Sequence, residues 1–229
     1  MFKIKTFKRF IVFLALVCGL LLCGSASSLA EAEIPKAKLP VLTTSAGQSP
    51  DANTLNIVME EAGIKYDYCD VPSIKLIAAG VGLAGEESKE VGFHVEVYSD
   101  LEKFPKGTQY KTIIFAIGAS LKGMGASGLT ISAEVKRLKS IVDFCKKNGI
   151  FIIGVHVGGV SKRGAPGSDN EKMIDAVAPF VDYLVVAADS NKDGRFNDIA
   201  KEKGIPLTQI EYALDLVDIM KQVFGLDYL

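Results

Sequence analysis

Histidine occurs only twice in the 229 residues, as His94 and His156, and no cysteine pair stands at a ligand spacing, which argues against a zinc site. The chain also lacks a block of like charge. Its formal net charge is −1, and the first thirty residues carry Lys3, Lys5, Lys8 and Arg9 with no acidic group, so without them the charge is about −5. A mildly acidic domain is a poor match for nucleic acid. The apolar run from Phe10 to Cys23 falls short of the roughly 18 residues that a spanning helix needs. Three motifs are missing as well. The glycines fit neither the dinucleotide fingerprint nor a P-loop, so there is no nucleotide-cofactor motif. Ser120 has Gly118 before it but Lys122 where a nucleophile elbow needs its second glycine.

The N-terminal basic residues, the apolar run and the small residues ending at Ala30 and Ala32 have the order of a signal peptide. The expectation is an extracytoplasmic protein cleaved near Ala30 or Ala32. Val17 and Leu22 precede Cys18 and Cys23 where a lipidation signal wants a small side chain, which argues against a lipoprotein. Cys69 and Cys145 remain after processing, and buried thiols are expected over a disulfide.

After a short leader at 31–38, short β-branched runs alternate with amphipathic stretches up to residue 229. The runs 39–43, 65–69, 112–117, 150–157, 183–187 and 206–210 read as strands buried on both faces. This rhythm predicts a single doubly wound α/β domain, Rossmann-like or flavodoxin-like. It has three layers and a mainly parallel sheet of five to six strands. Helices are expected over Leu55–Ala62, Val135–Cys145 and Leu214–Phe224, with another opened by a capping box at Ser168 and Glu171. Residues 71–110 break the alternation and read as an insertion carrying an edge strand or hairpin.

In such folds ligands gather at the carboxyl ends of the strands. The first of these loops offers Ser45, Gly47, Gln48, Ser49 and Asp51, with Ser49 placed to cap a helix and Pro50 at its first position. Gly118–Gly128 is a long glycine-bearing connection that includes Ser120 and Lys122. The fourth strand ends at His156, followed by Gly158, Gly159, Lys162 and Arg163, two cations suited to a carboxylate or phosphate. Asp189, Asn191 and Asp193 reproduce the opening of a calcium loop, but Ala200 stands where its bidentate glutamate belongs. An Asx turn capping the next helix accounts for the same three residues.

The blocks Leu42–Asp51, Gly154–Gly159 and Asn191–Phe196 resemble an exported bacterial family known only as a domain of unknown function. The resemblance runs roughly from Lys38 to Phe224 and implies an extracytoplasmic α/β domain without implying a reaction. Three readings follow. One is a domain binding a small-molecule anion at the strand ends and passing it to a membrane transporter. Another is a hydrolase or transferase using Ser45 or Ser120 with His156. The third is an interaction module with an envelope partner on 71–110.

Overall fold

The computed structural model describes residues 33–85, 89–90 and 93–226. The signal-peptide expectation, with Ala30, Ala32, Cys18 and Cys23, lies outside the described residues. Six parallel strands grow from the six apolar runs: β1 (Val41–Ala46), β2 (Asp67–Cys69), β5 (Thr112–Ile117), β6 (Phe151–His156), β7 (Tyr183–Ala187) and β8 (Leu207–Ile210). Two further strands come from residues 71–110. These are β3 (Lys89–Glu90) and β4 (Phe93–Val97), an antiparallel pair whose β4 also runs antiparallel to β2. Among the described residues the sheet therefore has eight strands, in the order β3-β4-β2-β1-β5-β6-β7-β8, where five to six were expected. Without the hairpin, the parallel strands stand second, first, third, fourth, fifth, sixth, which is the flavodoxin-like order extended by one.

Every residue of β1, β5 and β7 is buried. Alternate side chains feed two separate cores. Ile113, Phe115 and Ile117 join one cluster, while Ile114 and Ala116 join the other. The first core is closed by α2 (Ile74–Ala79), α4 (Ile131–Asn148), α5 (Asp169–Val177) and Phe196 of α6 (Arg195–Lys203). The second is closed by α1 (Asp51–Glu61) and α7 (Leu216–Phe224). Residues Glu33–Leu229 form one compact unit. No helix among the described residues is long and apolar enough to cross a membrane. Cys69 and Cys145 are both buried and no disulfide joins them, and burial pushes the Cys145 thiol up to about 12.

Several local features depart from the sequence reading. The connection after β5 is not an open loop, because Leu121–Ala126 wind into a short helix, α3, capped by Ser120 accepting from the Gly123 amide. Helix α1 begins one residue later than expected. Pro50 is its cap residue, and Ser49 Oγ accepts from the Asp51 amide at 3.2 Å. The capping box at Ser168 and Glu171 does not form. Glu171 is instead a buried counter-ion for two arginines, and those stronger bonds remove it from the cap.

Candidate functional site

After β1 the chain runs to α1 on one core and after β5 it runs on to α4 on the other, so the crevice of this sheet opens between their carboxyl ends. Gly47 makes the first turn at φ +92, where a Cβ would stand 2.5 Å from the Gly118 carbonyl. Only glycine fits there. Gln48 follows at φ 57, a backbone region costing a non-glycine residue about 1–2 kcal/mol. Its carboxamide offsets that cost by donating to Ser45 Oγ (2.9 Å) and the Asp70 carbonyl (2.8 Å) and by accepting from Ser127 Oγ (3.0 Å). Beneath the turn, the fully buried Glu134 accepts from the Gly47 amide at 2.8 Å. Arg137 holds the same carboxylate through two nitrogens, at 2.7 and 2.8 Å, and also donates to the Ser45 carbonyl. The loop is thus held by the protein's own bonds.

A cavity of about 440 Å³ lies over this loop. Its walls are Ser45, Gln48, Ser49, Pro50 and Asn53 from the β1–α1 segment, Tyr68 and Asp70 from the end of β2, and Ser120, Lys122 and Gly123 after β5. Lys122 is exposed, has no protein partner among the described residues, and is the cation of this wall. Burial raises the Asp70 carboxyl above its ordinary value, opposed by the His94 amide that donates to it at 2.8 Å. The amides opening α1 are already engaged, Asp51 with Ser49 Oγ and Ala52 with the Ser49 carbonyl. The Asp51 carboxylate, accepting from Ser49 Oγ at 2.8 Å, sits at the same helix end.

The residues after β6 are brought to the next part of this edge but are differently committed. Gly158 and Gly118 leave room for the Asp51 carboxylate and the Lys162 stem, and Lys162 Nζ donates to the Ala119 carbonyl at 3.1 Å. Gly159, at φ +67, faces the Asp189 carboxylate. Arg163 pairs with Glu171 (2.8 Å) and Asp193 (2.8 Å), donates to the Ser190 carbonyl and stacks near Phe196. These bonds raise the Arg163 pKa further and hold Asp193 down at about 2. Asp189 and Asp193 line one cavity beside Arg163 and Lys192, while Asn191 is turned to the start of α6. Asp189 accepts from the Val160 amide, Asn191 accepts from the Phe196 amide and Asp193 faces Arg163, an arrangement that matches the Asx-turn alternative. Among the described residues there is no group of three His, Cys, Asp or Glu side chains placed to hold a metal.

His156 is fully buried against Phe196, with ring centroids 5.1 Å apart. Its Nε2 donates to the Lys162 carbonyl at 3.2 Å, and Nδ1 has no partner among the described residues. Neither Ser45 nor Ser120 bonds to it. Ser45 Oγ donates to the Asp70 carbonyl and Ser120 Oγ accepts from the Gly123 amide, so neither serine is paired with His156 in this structure. Burial is the largest influence on the imidazole and lowers its pKa. A depressed folded-state value stabilises the fold above the unfolded value of about 6.5, and that stability is lost as pH falls through the folded value. Urea midpoints at pH 7.5 and 5.5 should therefore fall more for the wild type than for His156→Gln. Equal falls would show that the imidazole does not titrate with folding.

Asn53, Tyr68, Asp70, Glu134 and Arg137 were not among the residues expected at the site. Two of them left a trace in the sequence. Asp70 follows directly on a strand buried throughout, where the loops of interest begin, and Glu134 is a charged residue on the stripe continued by Leu138, Ile141, Val142 and Cys145. No curated protein matches the chain. Among solved structures it is similar to a pyridoxal kinase from Entamoeba histolytica at 13% identity, covering 75% of this chain and 64% of that one, with a TM-score of 0.37. It is also similar to a GDP-L-fucose synthetase from Naegleria fowleri at 12% identity, covering 77% and 54%, with a TM-score of 0.30. The chain thus spans between about half and two thirds of those proteins. Residues 38–224, which include all four strand-end loops described above, match the model of one family, and the chain belongs to it: a domain of unknown function, DUF6305.

Proposed function

We propose that the protein is an exported binding domain for a small anionic ligand, held in the cavity between the carboxyl ends of β1, β2 and β5. The observation that carries this reading is the coincidence of the cavity with the point where the chain leaves β1 and β5 in opposite directions. Lys122 supplies the counter-charge, because Lys162 and Arg163 already serve protein carbonyls and carboxylates. Asn53 and Ser120 supply neutral hydrogen bonds that fix orientation, on a wall that Gln48 and Ser49 hold in place through their bonds to Asp70 and Asp51. The signal-peptide order of the first thirty residues supports export, and a membrane transporter or other envelope partner would receive the ligand.

The test is a thermal-shift series with inorganic phosphate and short carboxylic acids, on wild type and Lys122→Met. A ligand present at a hundred times its Kd adds about 2.7 kcal/mol, a rise of several degrees for a domain of this size. The expected result is a rise with at least one anion that Lys122→Met abolishes. No rise with any of them, or an equal rise in the variant, rejects this reading.

A further inference from the structure

Of the nine large apolar side chains that are exposed among the described residues, five stand on the carboxyl edge of the sheet: Ile74, Leu121, Val160, Tyr212 and Leu214, each between 40 and 70% exposed. Their placement repeats. Ile74 opens α2 after β2, Leu121 opens α3 after β5, Val160 lies in the 3-10 turn after β6, and Tyr212 and Leu214 follow β8. With strands about 4.8 Å apart, the row extends roughly 24 Å along one edge. Lysines are interleaved with it. Lys75 adjoins Ile74, Lys122 adjoins Leu121, and Lys192 leaves the end of β7; all three are exposed and have no partner among the described residues. Of the carboxylates on this edge, Asp193 is paired with Arg163, Asp51 and Asp189 accept from Ser49 Oγ and the Val160 amide, and the exposed Glu211 beside Tyr212 stands after β8, at the opposite end of the row from Lys75.

We propose that this edge docks on an anionic lipid surface, inserting Ile74, Leu121 and Val160 at the headgroup level while Lys75, Lys122 and Lys192 meet the lipid charge. A row of apolar tips alternating with unpaired lysines is what a peripheral membrane contact requires, since neither burial nor charge alone holds a protein there. Lysine is depleted at the core of protein–protein interfaces, which disfavours a protein as the occupant. Tyr212 extends the row with an amphipathic ring of the kind favoured at headgroup depth. The inference shares Lys122 with the ligand reading but is tested apart from it, because Ile74, Leu121, Val160, Lys75 and Lys192 do not line the cavity between β1, β2 and β5.

Flotation of the compact unit Glu33–Leu229 with vesicles tests it without interference from the basic N-terminal segment. The vesicles are phosphatidylcholine alone, or phosphatidylcholine with about one third phosphatidylglycerol. Binding to the anionic vesicles alone, weakened by added salt, is expected. Ile74→Ser/Leu121→Ser/Val160→Ser and, separately, Lys75→Glu/Lys192→Glu should each reduce partition about tenfold or more. Both sets lie on the surface, so unchanged urea midpoints are the accompanying check on folding. Failure to bind anionic vesicles overturns the proposal, as does wild-type binding by either variant. Concentration-dependent dimerisation without vesicle binding would overturn it in favour of a second copy on this edge.

Discussion

Arg137→Met should destabilise the protein by about 3–5 kcal/mol, read from the midpoint of urea unfolding. The side chain it removes is the partner of Glu134, whose carboxylate is fully buried and reaches no water. Methionine keeps much of the aliphatic volume, so the loss is chiefly that of charge and hydrogen bonds. What remains is a buried carboxylate with only the Gly47 amide to answer it. The double variant Glu134→Gln/Arg137→Met should be less damaged than Arg137→Met alone, because no uncompensated charge is left and Gln can still accept from Gly47. A double variant as unstable as the single one, or a single variant within 1 kcal/mol of wild type, would show that water reaches the site.

The second large effect is expected at Asp67, which ties residues 71–110 to the parallel sheet. Its buried carboxylate accepts from Tyr110 Oη (2.5 Å), the Gly82 amide (2.8 Å) and the Ser99 amide (3.1 Å). Asp67→Ala leaves these donors without an acceptor, and each orphaned buried donor costs about 1–3 kcal/mol, so a loss of about 3 kcal/mol or more is expected. Hydrogen exchange should locate the damage, with faster exchange at Gly82 and Ser99 while the β5 and β6 amides stay protected relative to them. Tyr110→Phe removes one of the three bonds and should cost about 1 kcal/mol. Uniform loss of protection across the sheet would mean that the segment has no separate stability.

The parallel sheet was legible because a strand buried on both faces leaves a mark that little else imitates: the runs at 112–117 and 183–187 have the bounds of β5 and β7. The strand-end loops were legible because glycine, serine and cations cluster there. What those side chains bond to was not, since it depends on residues distant in sequence. Arg163 looked like a free cation until Glu171 and Asp193 met it, the latter thirty positions away. The same limit concealed the failure of the capping box, where local spacing favoured Ser168 with Glu171 and a buried double ion pair prevailed. Helices α2 and α3 escaped notice because six residues are too few to show a period.

The two ends of the sheet also bear on how the protein behaves among copies of itself. An open sheet exposes unpaired backbone groups at each margin, a template on which another chain can polymerise. Here one margin is β3, only two residues long and made of Lys89 and Glu90, and the other is β8, four residues carrying Thr208 and Gln209. Neither offers the length nor the unbroken apolar character from which fibrils grow. The long apolar strands, β1, β5 and β6, are all interior. Colloidal stability is therefore built into the strand order, and it would be lost first if the hairpin were deleted and β2 became the margin.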